Sequence, residues 1–407
     1  MLERRAKTPQ LLRATPTKRL AVLQPHLTNT SREMFLELAQ YCPLDIVASP
    51  EPAGMGFKVA PIEEGPRVRC FFGPTSMPVG RQFGWIQWSV VSYILRERPQ
   101  ALFLNANPRY LTFWIALLWA RVLGIPAYAH GHGFYRRGRI GTSYKLMMMA
   151  LLKLVTTYIC YAPIVRQAFL DNGFPGRKLA VAHNSLINRF PVLPGEKTGA
   201  ELGLLFIGRL RQESGLDLLL RVIERVRRED GPPLWLHVIG EGEQEEALRE
   251  RARDCPWIVF HGGVYDSPQI RRISLQCFAG CYPGKAGLSV EHMMSLSLPV
   301  ITHNDMRDHG PEPSFLRDGV SAILYDRADP EQSLYEAVRS LACDPAKVAE
   351  MRQNAFADYQ SLAHPSLAER LWAIIGENEN PRCARISEEM LQSVKLSSRA
   401  HTGPERP

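Results

Sequence analysis

The residues best suited to chemistry follow an apolar run in the second half of the chain. Leu202 to Ile207 is predicted as a strand, Gly208 and Arg209 follow it, and a helical pattern begins near Asp217. Glycine lets a backbone approach a ligand closely, and an arginine guanidinium can hold two phosphate oxygens at once. An arginine after a strand can equally form a surface ion pair, so this block alone leaves both interpretations open.

A second candidate lies between residues 282 and 301, where an apolar strand gives way to a glycine-rich turn, a short helix and another strand. Free N–H groups and the helix dipole favour anions at such a turn, and Lys285 adds positive charge. Met293 and Met294 indicate core packing instead. The Gly240-Glu241-Gly242 turn after a third apolar run is a weaker signal, because ordinary tight turns share it.

Composition limits the classes of protein that this chain can represent. Its 407 residues suit two domains of ordinary size, and a net charge of +8 favours anionic partners. No dense run of Lys and Arg, zinc finger or RNA-binding signature occurs, so nucleic acid is not predicted as a partner. The eight cysteines form no Cys-x-x-Cys pair, which is typical of a reducing compartment rather than a disulfide framework or a zinc site.

Membrane segments are not predicted. Residues 1–18 are basic but lack the apolar core of a secretory signal. The most apolar stretch, Leu111 to Leu123, contains Arg121 and is shorter than the roughly 20 residues that span a bilayer. We therefore expect a cytoplasmic protein.

A basic segment precedes another apolar stretch and allows two interpretations. Arg136, Arg137, Arg139 and Lys145 come before Leu146 to Leu154. This pattern fits a surface that docks on anionic lipid at the inner face of the cell membrane. It fits a solvated loop and a core helix equally well.

Short apolar runs alternate with helical patterns, which is typical of βαβ units in a parallel sheet. The predicted strands are 20–23, 44–48, 101–104, 126–129, 157–161, 202–207, 234–239, 258–260, 277–282 and 299–302. The predicted helices are 32–41, 110–123, 144–154, 217–228, 243–253 and 367–375, with an amphipathic segment at 85–95. Most of these strands end in a glycine or polar turn, where a doubly wound sheet binds its ligands.

The predicted organisation is a pair of Rossmann-like α/β domains with extensions at both ends. The segments are a basic N-terminal extension at 1–18, an acceptor-side domain at 19–187, a linker at 188–201, a nucleotide-sugar-binding domain at 202–363, a C-terminal helix at 364–376 and a disordered tail at 377–407. The linker is placed where two prolines and two glycines interrupt any periodicity.

In combination, these motifs resemble the GT-B-fold glycosyltransferases of family 4, the group 1 transferases, over roughly residues 20–375. The second half carries the most specific blocks: Gly208-Arg209-Leu210, Ile239-Gly240-Glu241-Gly242, Val259-Phe260-His261-Gly262 and Gly287 to Ile301. The first half fits through Gln24-Pro25-His26-Leu27, Asn105 to Tyr110, Gly131-His132-Gly133 and Val181 to Asn184. The turn Pro283 to Leu288 is similar to that of members in bacterial surface-polysaccharide assembly.

The resemblance implies two Rossmann-like domains that face a cleft, with the nucleotide sugar bound mainly by the second domain and no metal or other cofactor. The implied donor-binding residues are Gly208, Arg209, Gly240, Phe260, Gly262, Val264, Lys285, Gly287, Leu288, Ser289, Glu291 and His292. Arg209 is expected to contact the diphosphate, Gly287 to Ser289 to present backbone N–H groups to it, and Phe260 to Val264 to flank the base.

The resemblance also implies residues on the acceptor side and in catalysis. His132 is expected near the transferred sugar, with His130 as the nearby rival, and it forms the catalytic set together with Arg209 and His292. The acceptor-side residues are His26, Asn29, Asn107 and Arg109. A loop histidine that contacts only solvent is the alternative for His132.

Two positions depart from the family pattern. The lysine expected five residues after the Gly-Arg arginine is replaced by Ser214, so one diphosphate contact is missing unless Lys285 supplies it from the facing turn. The family's paired glutamates fall on Gly284 and His292, and Glu291 is one residue out of register, about 100° round a helix. We expect His292 to contact the ribose as donor and acceptor; a local shift that brings in Glu291 is the alternative.

The sequence thus predicts a retaining, metal-independent hexosyltransferase that moves a sugar from a nucleotide-sugar donor to a glycan or lipid-linked acceptor. Bacterial exopolysaccharide, capsule or lipopolysaccharide synthesis is the expected setting. A nucleotide-sugar epimerase of the same architecture is one alternative, although its acidic and histidine motifs are not found. A non-catalytic nucleotide-sugar-binding homologue is another, because Ser214 and Gly284 remove expected contacts. A Rossmann dehydrogenase is disfavoured, since no Gly-x-Gly-x-x-Gly follows the first strand.

Overall fold

The computed structural model describes residues 19–25, 27, 29–49, 62–73, 75–76, 86–198, 201–229 and 231–376. Within these ranges the chain forms a seven-stranded and a six-stranded sheet, both parallel, and a separate pair of short strands. The predicted α/β class with two Rossmann-like domains is confirmed. The predicted N-terminal extension and C-terminal tail lie outside the described residues.

The first half of the chain forms the seven-stranded sheet. The strands of this half are β1 (Leu20–Leu23), β2 (Leu44–Ala48), β3 (Val68–Phe72), β4 (Thr75–Ser76), β5 (Ile86–Gln87), β6 (Ala101–Asn105), β7 (Ala127–Gly131), β8 (Thr157–Cys160) and β9 (Leu179–Val181). The order across the sheet is β3-β2-β1-β6-β7-β8-β9, while β4 and β5 pair with each other. Strands β1 and β7 are buried along their whole length, as parallel strands are when helices cover both faces.

Helices cover both faces of this sheet. They are α1 (Asn29–Leu38), α2 (Trp88–Glu97), α3 (Leu111–Leu123), α4 (Thr142–Leu154) and α5 (Pro163–Asp171). On one face, side chains of α2 to α5 bury a core that includes Leu117, Leu151 and Phe169. On the other face, α1 contributes Phe35 to a second core.

The second half of the chain forms the six-stranded sheet around a single core. Its strands are β10 (Gly203–Ile207), β11 (Trp235–Ile239), β12 (Ile258–Gly262), β13 (Cys277–Cys281), β14 (Val300–His303) and β15 (Ala322–Tyr325). Its helices are α6 (Leu216–Arg228), α7 (Glu245–Arg251), α8 (Ser267–Ser274), α9 (Ser289–Ser295), α10 (Pro330–Ala342) and α11 (Pro345–Ala363). The order across the sheet is β12-β11-β10-β13-β14-β15.

The last helix, α12 (Leu367–Gly376), returns to the first sheet. Its side chains Leu371 and Ile374 join the core that α1 covers. The hydroxyl of Tyr128 on β7 donates to the carbonyl oxygen of Ile375 at 3.3 Å. The two halves of the chain are therefore joined by this helix as well as by the crossover between β9 and β10.

Every strand predicted from an apolar run is present within two residues at each end. The sequence does not predict strands β3, β4, β5, β9 and β15 or helices α5, α8, α10 and α11. Strand β3 lies at the edge of its sheet, and most of its side chains are partly or largely exposed, so it lacks an unbroken apolar run. Helices α10 and α11 begin with proline after aspartate, a start signal that identifies them in retrospect.

Candidate active site

The loops that follow the carboxyl ends of the two sheets meet across one cleft. After β7, the Tyr135 hydroxyl and the Arg136 guanidinium donate to the carbonyl oxygen of His309, which follows β14; the Arg136 Nε bond is 2.8 Å long. After β9, Asn184 Nδ2 donates to Oε1 of Glu312 at 2.7 Å. Carboxyl ends of parallel strands are where open α/β sheets bind their ligands.

The strand order of the second sheet reverses at β10, which lies between β11 and β13. Gly208 and Arg209 follow β10, and Gly240 follows β11. A Cβ on Gly208 would lie 2.7 Å from a ring carbon of Tyr282, and one on Gly240 would lie 1.8 Å from the carbonyl oxygen of Gly208. Only glycine permits this approach of the loops. They hold Arg209 at the surface, where its side chain is exposed.

The predicted anion turn follows β13 on the other side of the reversal. Gly287, Leu288 and Ser289 lead into α9 and are partly exposed. Among the residues described, no protein acceptor takes a hydrogen bond from the backbone N–H of Leu288 or Ser289, whereas Val290 already donates to Gly287. The turn therefore offers N–H groups to a bound anion beside Arg209.

Lys285 at the start of this turn belongs to a charged cluster. Its Nζ lies 3.6 Å from Oδ1 of Asp308, whose other oxygen lies 3.7 Å from Arg327. These distances are long for ion pairs, and the Lys285 side chain is 41% exposed. An anion can therefore compete with Asp308 for this cation.

The two departures from the family pattern pack directly on each other. Gly284 N–H donates to the carbonyl oxygen of Ser214 at 3.0 Å, and Lys285 N–H donates to that of Glu213 at 2.8 Å. A Cβ on Gly284 would lie 2.0 Å from the Glu213 carbonyl oxygen. Ser214 is buried, with 1% of its surface exposed. In this chain there is no room for a side chain at position 284.

The two candidates for the ribose contact point in different directions from α9. Glu291 is fully buried, and its Oε2 accepts from the backbone N–H of Leu186 at 3.1 Å. Burial, followed by the charge of Glu312, raises the pKa of Glu291 well above its ordinary value. His292 remains partly exposed, and desolvation lowers its pKa to about 4, so it is neutral near pH 7. The geometry favours His292 over Glu291 as a ligand contact.

The predicted base-binding residues lie at the end of β12. The Phe260 ring packs under the guanidinium of Arg249, with 4.9 Å between the Arg249 Cζ and the ring centroid. The carbonyl oxygen of Gly262 accepts from Gly240 N–H at 2.8 Å. Phe260 and Val264 are both partly buried. The structure thus brings these three residues beside the Gly240 turn.

The two histidines of β7 and its following loop have different surroundings. His130 is buried in the strand, where its Nε2 lies 3.2 Å from the carbonyl oxygen of Ala182, and desolvation lowers its pKa to about 4. His132 is exposed just beyond the strand, with Nδ1 3.2 Å from the carbonyl oxygen of Gly133. Desolvation and then the Arg136 charge lower the pKa of His132. His132 is therefore the accessible one of the two.

The predicted acceptor-side residues are only partly described. His26 lies outside the described residues, and Asn29 is the first residue of α1. Asn107 and Arg109 follow β6, at the edge that faces the cleft; Asn107 Oδ1 accepts from Arg109 N–H at 3.2 Å. Arg109 is exposed.

Three residues of the cleft are not predicted from the sequence: Tyr135, Arg136 and Glu312. Glu312 is only 4% exposed, and burial raises its pKa above the ordinary value. The Pro311-Glu312-Pro313 sequence is a signal of irregular backbone, but nothing local indicates that the carboxylate faces another domain. Arg136 was assigned to a possible lipid-binding surface, whereas its guanidinium contacts the loop after β14.

The described residues contain no group of three or more His, Cys, Asp or Glu side chains placed to hold a metal ion. They also contain no helix long and apolar enough to span a bilayer.

Comparisons with known proteins bear on the second half most strongly. Residues 201–344 match the model of a family described as Glycosyl transferases group 1. Curated proteins give no match.

Several solved structures share the fold over most of the chain. HepE of Anabaena in complex with UDP is 14% identical, with a TM-score of 0.65 over 88% of this chain and 99% of that chain. TarM of S. aureus is 12% identical, with a TM-score of 0.65 over 89% and 99% of the two chains. The lipopolysaccharide outer core galactosyltransferase WaaB is 10% identical, with a TM-score of 0.61 over 88% and 99%. At these identities the likeness establishes the fold.

Proposed function

We propose that this chain, whose residues 201–344 match the model of the group 1 glycosyltransferases, transfers a sugar from a nucleotide-sugar donor to a glycan or lipid-linked acceptor. The observation that carries the proposal is the crevice at the reversal of the second sheet. Arg209 follows Gly208, and a Cβ on Gly208 would lie 3.3 Å from Oγ of Ser289 in the turn that offers backbone N–H groups. The loosely paired Lys285 lies at the start of the same turn. These are the groups that bind a diphosphate.

The same crevice suits the chemistry of the reaction. The bond between the anomeric carbon and the diphosphate oxygen breaks, and a bond from that carbon to an acceptor hydroxyl oxygen forms. The proton of this hydroxyl passes to an oxygen of the leaving diphosphate. Fixed positive groups stabilise the charge that develops on the leaving diphosphate. Both substrates are held in one cleft, and their fixed orientation lowers the barrier to the reaction. We propose retention of anomeric configuration, as the family resemblance implies.

The remaining site residues receive roles by their positions. Phe260, Gly262 and Val264 flank the base, and His292 contacts the ribose. His132 contacts the transferred sugar from the first sheet, while Asn107 and Arg109 face the acceptor. We further propose that residues 19–187 form the acceptor-side domain and residues 202–363 the donor-side domain, joined by 188–201.

Two of the similar structures guide the choice of substrates to test. HepE has been solved with UDP and with UDP-glucose, which makes uridine diphosphate sugars the first donors to test. WaaB is described as a lipopolysaccharide outer core galactosyltransferase. We propose that the chain likewise acts in bacterial surface-polysaccharide synthesis.

A cationic, apolar face of the first domain supports action at an anionic membrane. Helices α2, α3 and α4 pack side by side, and their exposed apolar side chains are Trp88, Leu95, Leu111, Leu118, Val122 and Leu146. The exposed cations of these helices are Arg96, Arg121, Lys145 and Lys153. The only carboxylate in the three helices is Glu97. Such a face binds anionic headgroups while apolar tips enter the interface, so we propose peripheral attachment at the cytoplasmic leaflet.

Product analysis tests the proposed activity directly. Purified protein is incubated with radiolabelled UDP-glucose and UDP-galactose, with and without a lipid-linked glycan fraction from bacterial membranes. A glycosyltransferase transfers label to the glycan and releases an amount of UDP that increases with the amount of acceptor added. Conversion of the free nucleotide sugar without acceptor identifies an epimerase. Binding of the nucleotide sugar without either reaction identifies a non-catalytic homologue.

A further inference from the structure

The loop that follows β14, the strand next to β13, is fixed against the anion turn. The loop after β14 donates from Gly310 N–H to the carbonyl oxygen of Ala286 at 2.7 Å. In return, Nδ1 of His309 accepts from Ala286 N–H at 3.2 Å. Two hydrogen bonds thus align residues 309–310 with residues 286–287.

This alignment places a carboxylate beside the turn. Oε2 of Glu312 would lie 3.5 Å from a Cβ on Gly287 and 2.5 Å from a Cβ on Gly310. Neither glycine carries a side chain, so this carboxylate oxygen and the turn approach each other without an intervening group. The other oxygen, Oε1, accepts from Asn184 Nδ2 at 2.7 Å, which fixes the carboxylate from the first domain.

No residue of the turn itself can place a carboxylate beside Gly287. Position 284 must be glycine because the Glu213 carbonyl oxygen occupies the space of a Cβ. Glu291 is directed away, to the backbone of Leu186. Of the described acidic side chains close to residues 284–287, Glu312 is the one with an oxygen against Gly287.

We propose that Glu312 is a donor-positioning residue whose carboxylate accepts hydrogen bonds from hydroxyl groups of the transferred sugar. This inference rests on the proposed function, since it takes Arg209 and the turn to hold the diphosphate. A sugar attached to that diphosphate lies between the turn and the loop of His132, and Glu312 is fixed to groups on both sides of this space. A buried carboxylate there binds hydroxyls strongly.

Glu312 could instead serve only to hold Asn184, and the substitution Glu312→Gln separates the two roles. Glutamine keeps an amide oxygen that can accept from Asn184, so a purely structural role survives. It loses the charge that strengthens hydrogen bonds from sugar hydroxyls. Glu336→Gln on the exposed face of α10 is the matched control, because it makes the same change far from the cleft.

The experiment compares calorimetric binding of UDP and of UDP-glucose or UDP-galactose, whichever the wild-type protein binds, in wild type, Glu312→Gln and Glu336→Gln. We expect Glu312→Gln to leave the Kd for UDP within about twofold and to weaken binding of the nucleotide sugar about ten- to a hundredfold. The melting temperature of Glu312→Gln should equal that of wild type. Glu336→Gln should have the wild-type Kd for both UDP and the nucleotide sugar.

Two results would overturn this assignment. Unchanged affinity for the nucleotide sugar in Glu312→Gln would leave Glu312 with its contact to Asn184 alone. An equal loss of UDP and nucleotide-sugar binding, with a lowered melting temperature, would show that the residue maintains the cleft rather than the sugar. If wild type itself binds neither UDP nor the sugar conjugates, the proposed uridine donor fails first, and that result is distinct from both.

Discussion

The two sides of the cleft are constructed differently. On the side of the second sheet, the proposed donor side, glycines bring backbone segments together: Gly240 meets the carbonyl oxygen of Gly208, and Gly284 meets that of Glu213. On the side of the first sheet, the proposed acceptor side, side chains such as His132 and Arg109 extend from loops after β7 and β6. A backbone site depends on a few obligatory glycines, whereas a side-chain site tolerates many residue types. The second half, with its obligatory glycines, is accordingly the part of the chain that matches a family model.

The largest effect is expected where backbone packing is tightest. Gly284→Ala forces a Cβ to within 2.0 Å of the Glu213 carbonyl oxygen, so the two turns must separate. We expect the free energy of unfolding to fall by at least about 3 kcal/mol, with loss of nucleotide binding. Urea denaturation measures this change. Gly141→Ala is the control, because its Cβ would meet nothing within 4 Å; an equal loss in both variants would contradict the backbone interpretation.

Removal of the donor-side arginine should affect binding rather than folding. Arg209→Ala is expected to raise the Kd for the nucleoside diphosphate about ten- to a hundredfold, as for loss of a charge-assisted hydrogen bond. Calorimetry measures the change. Arg253→Ala removes an arginine that is exposed and paired with Glu250 away from the crevice. If Arg209→Ala and Arg253→Ala bind the nucleoside diphosphate with equal affinity, Arg209 does not contact the donor.

The acceptor side should respond in turnover instead of donor affinity. His132→Asn keeps a polar side chain but loses the imidazole, and we expect kcat to fall about tenfold, equivalent to about 1.4 kcal/mol. The Kd for UDP should stay unchanged, because His132 follows β7 of the other sheet. Steady-state kinetics with a glycan acceptor measure kcat. A rise in the Kd for UDP without a change in kcat would place His132 on the donor side.

The smallest expected effect is the pH dependence of stability that comes from His303 on β14, whose ring stacks on His309 with the ring centroids 3.8 Å apart. His303 is fully buried, and desolvation followed by the charge of His309 lowers its pKa to about 4. As the pH falls, a histidine whose pKa is lowered by folding takes up its proton in the unfolded state before it does so in the folded state. Stability is therefore lost as the pH falls below the unfolded value near 6.5.

This loss should amount to about 0.7 kcal/mol for His303 between pH 7 and pH 6. His303→Asn removes the titration, while an amide oxygen can still accept from Asp305 N–H as Nδ1 does at 3.2 Å. Unfolding free energies at the two pH values should differ less in this variant than in wild type. A difference as large as in wild type would mean that His303 does not contribute.

Features that depend on local sequence signals are predicted, whereas those that depend on contacts between distant segments are not. Gly208, Arg209 and the turn after Tyr282 are predicted because strand, glycine and helix signals are local and follow one another closely. Glu312 and the return of α12 to the first sheet are not, since both depend on contacts between distant segments. Glu312 accepts from Asn184, and its loop is fixed by the bonds of His309 and Gly310 to Ala286. Helix α12 is held by Tyr128. No local periodicity carries that information.

The central claim is that the loops at the reversal of the second sheet bind a nucleotide-sugar donor. The most direct test is a thermal-shift screen of wild type and Arg209→Ala against millimolar UDP, GDP, ADP and CMP and their common sugar conjugates. A ligand that binds only the folded state raises the melting temperature. We predict a rise with one nucleotide and its conjugates that is lost in Arg209→Ala. No shift with any of these compounds in the wild-type protein would contradict the account.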